Sequence, residues 1–404
     1  MKKSIYLIAT LCVVVFSSCS NDGDSSSESV QGQTAKIELT LTGSTTTRTV
    51  SSTNPVTGVA TAEGTVNNIV VGIFNASDEV LTVQSITSPG VGSGDANKNT
   101  ITCPLTGTAT VTCSAVVVAN VPDATVTALK STTTKALFLA EAISLEDATA
   151  SGDDQVSTNL PMSGGVIDSN NSDAETFTLT PGGTTTGLSV EVVRMVSRIT
   201  LTSLSADFTS SSYPDATFKL QRVFLRDAIA ATKVTTSATS GDAMSGTSYL
   251  TGGGTWSSDT WSGDNAFLYD ALSAELLIES STTLPGSKYY WFYAFANDGS
   301  TSPTAFVIQG SFDQDGDGTS YSSETVFYPV IVNKMQPGTT IGGTSYSGTT
   351  TTGSISRNQL YNLSVTLKNK GVSSPTDNIN PANLEISVTV ADWPTAIEQV
   401  VTFD

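Results

Sequence analysis

Short runs in which apolar and polar residues alternate recur along the whole chain, and they constrain its fold more than any other feature. In 36–42, for example, Ile37, Leu39 and Leu41 alternate with polar residues. A period of two places every second side chain on one face of a β-strand. Gly, Pro, Asn and Asp separate the runs, which favours an all-β fold of β-sandwiches. The other runs that we predict as strands are 68–74, 116–119, 188–193, 199–204, 218–225, 289–296, 305–308, 326–332, 361–367 and 384–390.

The chain has 404 residues, a length that suggests two domains. Between residues 164 and 187 Gly, Ser, Asn, Asp and Thr dominate, and hydrophobic periodicity lapses apart from 177–179. We therefore predict two tandem domains, 49–177 and 178–404, that are joined near 178–186. One connection, 134–145, carries apolar residues at helical spacing and is predicted to form a short helix.

The N-terminus has the features of a secretory signal. Lys2 and Lys3 precede the apolar stretch 5–16, which is too short to span a bilayer as a helix. The stretch ends at small residues before Cys19, so we predict a lipoprotein signal peptide over 1–18 and an acylated Cys19. An ordinary signal peptide that contains a cysteine is the alternative. The polar tract 20–29 has nothing to bury and is predicted to be a flexible tether.

The composition excludes several functions. The net charge of -19 predicts repulsion from nucleic acid and from anionic lipid. Histidine is absent, which removes the usual general base of hydrolytic triads and the commonest metal ligand. No Gly-x-Ser-x-Gly elbow and no Gly-Lys-Ser/Thr phosphate loop occurs. We predict that the protein is not an enzyme, although a carboxylate pair for glycoside hydrolysis stays open.

Two cysteines remain once the signal is removed and Cys19 is acylated. Cys103 and Cys113 flank nine residues that could fold back as a hairpin and bring the two sulfurs together. An extracytoplasmic compartment permits a disulfide between them. Two buried thiols are the alternative, and the sequence does not choose between them.

A candidate calcium loop begins at Asp313. Asp313, Asp315 and Asp317 match the first three ligand positions of a twelve-residue loop. Thr319 would add a carbonyl and Glu324 a bidentate carboxylate. No other cofactor is predicted. A polar hairpin tip is the alternative, because the flanking residues alternate as strands do and because Asp and Gly suit turns.

Several weak motifs occur in order along the chain. They are the lipoprotein signal, the strand 35–41, the Thr-rich segment ending in Arg48, and the segments 66–74, 116–122, 160–164, 193–199, 357–365 and 388–393. With these motifs together the chain resembles the fimbrillins, the shaft subunits of type V pili of Gram-negative anaerobes. The resemblance implies two transthyretin-like β-sandwich domains.

This resemblance also implies assembly by strand exchange. A lipoprotein precursor in the outer membrane would be cut between Arg48 and Thr49, so that 19–48 is a removable tether and first strand. The strand's departure would open a groove for a strand of another subunit in an extracellular fimbria. In the C-terminal tail Ile397, Val401 and Phe403 share one face of an extended strand, which makes them the predicted donor.

The resemblance leaves other roles open. The predicted partners are further copies of this chain, other fimbrial subunits and surface receptors of a host or of other bacteria. A fimbrial tip adhesin and a monomeric glycan-binding surface lipoprotein are the alternatives to a shaft subunit. Trp256 and Trp261 are the one hint of glycan binding, and two rings that cover a sandwich edge are the favoured alternative.

Overall fold

A computed structural model shows a chain built mainly of β-strands. It describes residues 33–43, 63–92, 94–237, 240–241, 248–263, 265–279, 284, 289–318, 323–334, 340–341, 344–345, 352–377 and 384–392. The strands of the first half are β1 (Gln33–Gly43), β2 (Asn68–Asn75), β3 (Val80–Thr87), β4 (Lys98–Leu105), β5 (Val111–Ala119), β6 (Ala142–Ser144), β7 (Ala150–Ser151), β8 (Asp154–Gln155), β9 (Met162–Asp168), β10 (Phe177–Leu179) and β11 (Thr184–Arg194).

Short helices lie in the connections of the first half. They are α1 (Asp123–Lys130), α2 (Lys135–Leu139) and α3 (Leu145–Thr149), with 3-10 turns at Asp95–Asn97 and Ser157–Asn159. No helix among the described residues has the length and apolar character needed to cross a membrane.

In its described ranges the second half adds fifteen strands and one 3-10 turn, Ala266–Leu268. The strands are β12 (Val196–Ala206), β13 (Thr217–Arg226), β14 (Ala228–Ile229), β15 (Ala231–Lys233), β16 (Tyr249–Leu250), β17 (Thr255–Ser257), β18 (Thr260–Ser262), β19 (Tyr269–Ile278), β20 (Tyr290–Phe295), β21 (Ala305–Asp313), β22 (Ser323–Ile331), β23 (Thr340–Ile341), β24 (Thr344–Ser345), β25 (Gln359–Leu367) and β26 (Leu384–Asp392).

The strands form two tandem β-sandwich domains, and the predicted all-β fold is confirmed. In the N-terminal domain, residues 33–194, the strand order is β3-β2-β5-β9-β11-β1-β4, with β10 paired to β5. In the C-terminal domain, residues 196–392, two four-stranded sheets have the orders β20-β12-β25-β26 and β19-β13-β21-β22. Each domain has an apolar interior of alternating strand residues.

The predicted domain boundary at residue 178 is wrong. β10 and β11 both belong to the N-terminal sheet, and the C-terminal sheets begin at Val196. Gly164, which the sequence presents as part of a linker, lies inside β9. A Cβ atom there would collide with the carbonyl oxygen of Glu191 in β11, so this glycine allows two paired strands to approach closely.

The predicted helix 134–145 is only partly present. Thr134 caps α2 by accepting a hydrogen bond from the backbone N–H of Leu137, and the helix ends at Leu139. The next residues form β6, which pairs with β15 of the other domain. Pairing with a distant strand therefore overrides the local helical pattern.

Strands β2 and β5 are buried on both faces. One face of β2 points into the sandwich interior, and the other packs under the helices, where Phe74 meets Phe138 of α2 edge-on at 5.4 Å between ring centroids. Gly72 makes room for this pair, because a Cβ atom there would lie 2.6 Å from the Phe74 ring. Burial on both faces explains why 116–119 is a continuous apolar run.

The two tryptophans of the glycan hypothesis form one small hairpin. Trp256 in β17 and Trp261 in β18 are cross-strand partners, with ring centroids 5.1 Å apart. The rings pack on Phe224 of β13 and Phe327 of β22, at 4.9 and 4.8 Å. The rings thus pack on the face of a C-terminal sheet, whereas the alternative interpretation expects them at a sandwich edge.

Candidate functional site: a strand-filled groove and the domain junction

The first strand of the chain fills a groove in the N-terminal domain. β1 lies between β11, to which it runs parallel, and β4, to which it runs antiparallel. Its side chains that point inward are at most 1% exposed. These residues are Ala35, Ile37, Leu39 and Leu41. Burial of the three larger side chains stabilises the strand by roughly 1.5–3 kcal/mol each before ordering costs.

Backbone contacts hold β1 at both ends of the groove. The N–H of Lys36 donates to the carbonyl of Gly183 at 3.0 Å, and the N–H of Gly92 donates to the carbonyl of Leu41 at 2.9 Å. Near the second end the side-chain amide of Asn99 donates to the carbonyl of Leu39 at 3.4 Å. If β1 left, its apolar slot and the edges of β4 and β11 would be exposed together.

Cys103 lies on the wall of this groove, opposite Ala35 of β1. The hairpin predicted between Cys103 and Cys113 is wrong, because β4 pairs with β1 whereas β5 pairs with β2, β9 and β10. Both cysteines are free buried thiols in the same apolar interior. Burial raises the pKa of Cys103 to about 11 and that of Cys113 to about 12, so both are inert toward oxidation while buried.

Other predicted site residues lie outside the described residues. They are the lipidation site Cys19, the cleavage pair Arg48 and Thr49, and the donor residues Ile397, Val401 and Phe403. Their roles remain predictions of the sequence.

A buried acid at the domain junction was not anticipated from the sequence. Glu63 is the first described residue after β1 and is fully buried. Its carboxylate accepts hydrogen bonds from Arg198 at 2.7 Å and from the Tyr293 hydroxyl at 2.6 Å, and its carbonyl accepts one from Arg194 at 2.8 Å. The pKa of Arg194 falls to about 10, mainly through burial.

Arg357 also joins the two domains at this junction. Its guanidinium is fully buried and donates to oxygens of β9, β11 and the segment after β15. Burial lowers its pKa to about 10, so it remains charged at neutral pH. The sequence motifs 193–199 and 357–365 contain the arginines of this junction beside residues predicted as strands, and this is the sequence pattern that could have indicated it. The acceptors are Ser163 Oγ and the carbonyls of Ser163, Val193, Arg194, Thr235 and Ser237.

The candidate calcium loop is the tip of the β21–β22 hairpin. Asp313, Asp315 and Asp317 come together, with carboxylate oxygens all within 4.8 Å of one another. Glu324 does not join them, contrary to prediction, because the hairpin pairs it with Phe312 and its carboxylate binds Lys370 at 2.8 Å. Thr319 lies outside the described residues.

We expect calcium to stabilise the protein through these three aspartates. At the Kd of roughly 0.1–1 mM typical of extracellular modules, 10 mM calcium should add about 1.4–2.7 kcal/mol to the free energy of unfolding. The double substitution Asp315→Asn with Asp317→Asn should remove this gain, whereas Glu324→Gln should keep it. Thermal unfolding with and without calcium measures both. An unchanged melting temperature in the unsubstituted protein would contradict the prediction.

Comparisons with known proteins agree with this architecture. A model of the major fimbrial subunit protein (FimA) matches residues 35–202, and a model of the FimA4 pilin C-terminal domain matches 314–393. The chain is 26% identical over 222 residues to the major fimbrium subunit FimA type-2 of Porphyromonas gingivalis, a match that spans 50% of this chain and 56% of that relative.

Solved structures share the fold over almost the whole chain. A fimbrilin of Porphyromonas gingivalis W83 has a TM-score of 0.57 at 17% identity, and the match covers 91% of this chain and 98% of that one. A cell adhesion protein of Bacteroides eggerthii, described as putative, has a TM-score of 0.57 at 21% identity, with 90% and 97% covered.

Two tandem sandwiches, with the first strand held between β4 and β11, define an all-β protein of the fimbrilin fold. The two FimA models together match more than half of the chain, at both its ends. By these matches the chain is similar to the FimA major fimbrial subunits over much of its length.

Proposed function

We propose that this chain is a structural subunit of a cell-surface fimbria and that it polymerises by exchanging β1 for a strand of a neighbouring subunit. The observation that carries the proposal is the position of β1. It is a complete strand with an apolar inner face and a paired neighbour on each side, yet only the segment 44–62 connects it to the rest of the domain. One cut in that segment would make β1 a separate peptide that non-covalent contacts alone retain.

The arginines of the chain support Arg48 as the position of this cut. The five other arginines are all described and belong to folded structure. Four of them are at most 9% exposed, and Arg222 lies in β13 with its guanidinium 4.8 Å from the Tyr269 ring. An arginine-specific protease would therefore find Arg48 first. The buried Glu63 would then hold the start of the mature chain on the domain junction.

The tail is the proposed donor. Apart from Gln399, the alternate residues Ile397, Val401 and Phe403 follow the apolar pattern of the inward residues of β1. A neighbour's tail could fill the slot and pair with both β4 and β11. Before the cut, the lipid on Cys19 would hold the precursor at the outer membrane. After it, the subunit would belong to the extracellular fimbria. Support of adhesion is part of this proposal.

The reactivity of Cys103 should report the state of the groove. In a protein that begins at Ser20 and carries Cys113→Ala, Cys103 is the one remaining thiol. Burial raises its pKa from 9.0 to about 11, so solvation after the loss of β1 should increase the thiolate fraction at neutral pH by about 100-fold. Alkylation rates before and after cleavage by an arginine-specific protease test this. A synthetic 395–404 peptide in excess should slow alkylation again.

The matched control is Arg48→Ala in the same background. The same protease should leave its Cys103 protected, and the protein should not form fibres. The proposal fails if β1 stays bound and no fibres form after a complete cut at Arg48, or if the Arg48→Ala variant forms fibres of normal length.

A further inference from the structure

The two ends of the N-terminal sheet face each other. β3 and β4 are the first and last strands in the sheet order, and no backbone ladder joins them. Two such edges present N–H and C=O groups that a foreign strand could pair with. The seam between β3 and β4 is therefore a second place, besides the β1 groove, where the described part of this domain could accept a strand.

One side chain closes this seam. The amide nitrogen of Gln84 in β3 donates to the carbonyl of Thr102 in β4, and the N–H of Thr102 donates to the amide oxygen of Gln84 at 3.3 Å. A glutamine amide carries the same donor and acceptor as a peptide group. Gln84 thus completes, with a side chain, the two hydrogen bonds that an added strand would make to Thr102.

The same arrangement occurs at an edge of the C-terminal domain. Gln155, which ends β8, donates to the carbonyl of Tyr293 at 3.0 Å and accepts from the N–H of Tyr293 at 2.7 Å. β20, which contains Tyr293, is the edge strand of its sheet. Two glutamines in separate domains therefore occupy a backbone donor and acceptor at the edge of a sheet.

We infer that Gln84 restricts strand addition to the β1 groove. This inference rests on the proposed function, because it concerns where a neighbour's tail can bind. A tail that paired at the β3–β4 seam would join subunits in the wrong geometry and without prior cleavage. Because Gln84 already bonds the N–H and the carbonyl of Thr102, these groups are not available to stabilise a strand that pairs at the seam.

Hydrogen exchange at the Thr102 amide tests the contact itself. Gln84→Ala should accelerate this exchange by about tenfold, because the amide loses its acceptor. Gln84→Glu keeps an acceptor for this amide but cannot donate to the Thr102 carbonyl, so its exchange should stay close to that of the unsubstituted protein. Gln155→Ala is the matched control and should leave exchange at Thr102 unchanged.

Binding of a fluorescent 395–404 peptide to the uncut protein tests the consequence. With β1 in place the unsubstituted protein should not bind it, whereas Gln84→Ala should bind it and form dimers through its own tail. Uncut Gln84→Ala that shows unchanged exchange or no peptide binding would overturn the inference. A failure of the proposed function gives a different result. In that case the unsubstituted protein would not bind the 395–404 peptide even after the cut at Arg48.

Discussion

Replacing Arg357 with methionine should lower the free energy of unfolding by about 3–5 kcal/mol. The guanidinium is fully buried and donates to oxygens of both domains, among them the carbonyls of Val193 and Thr235. Methionine occupies a similar volume but donates no hydrogen bond, so the carbonyls of Val193, Arg194 and Ser237 would each lose a buried donor, whereas that of Thr235 would keep the Ser163 hydroxyl. Urea denaturation followed by circular dichroism measures the change.

The lysine variant separates charge from geometry. Arg357→Lys keeps the cation but loses the planar fork that reaches several acceptors at once, so it should be nearly as destabilising as methionine. Arg222→Met is the control, because Arg222 only stacks on aromatic rings and should contribute about 0.5–1 kcal/mol. Equal losses at the two positions would mean that Arg357 does not join the domains as described.

Replacing Glu63 with alanine should cost a similar amount, about 3–5 kcal/mol, because Arg198 would be left as an uncompensated buried charge. Glu63→Gln keeps one acceptor for Arg198 and Tyr293 and should cost less. Because Glu63 and Arg198 interact directly, their substitutions should not be additive. The double variant Glu63→Gln with Arg198→Met should lose less free energy of unfolding than the two single variants lose together. Denaturation midpoints of the four proteins form the double-mutant cycle.

A surface ion pair provides the comparison for this cycle. Asp207 binds Lys368 at 3.0 Å, and both side chains are about a third exposed. Hydrogen bonds from Thr209 and Lys368 lower the pKa of Asp207 to about 2. Solvent screens the pair, so Asp207→Asn should change stability by less than about 1 kcal/mol. Additive losses for Glu63 and Arg198, or a loss at Asp207 as large as at Glu63, would contradict the interpretation of the junction.

The sequence predicted the strands well where one face of the sheet is buried. β1 shows the reason: its four inward residues alternate with polar ones, and the alternation follows directly from the pleat. Other strands alternate less clearly, and the sequence does not predict them. β19 has exposed and half-buried residues without a clear period, so no pattern in the sequence marks it. The sequence predicts a removable first strand. The structure shows that this strand, β1, lies between β4 and β11.

The domain boundary could not be read from composition. Glycines at 164 and 165 resemble a linker in the sequence, but they lie in β9, where Gly164 lets β11 approach. Whether a glycine serves a turn or a close contact depends on the strand that packs against it. That strand is 20 or more residues away in the chain.

What the sequence determined by itself is the local pattern of strands and the all-β class, while the secretory signal and the cut at Arg48 stay predictions. Only the tertiary structure decided which polar residues are buried. Glu63, Arg198 and Arg357 look in the sequence like ordinary surface charges, and Glu324 looks like a calcium ligand. Their partners come from distant parts of the chain, and a charge is stable inside a protein only where folding brings such partners to it.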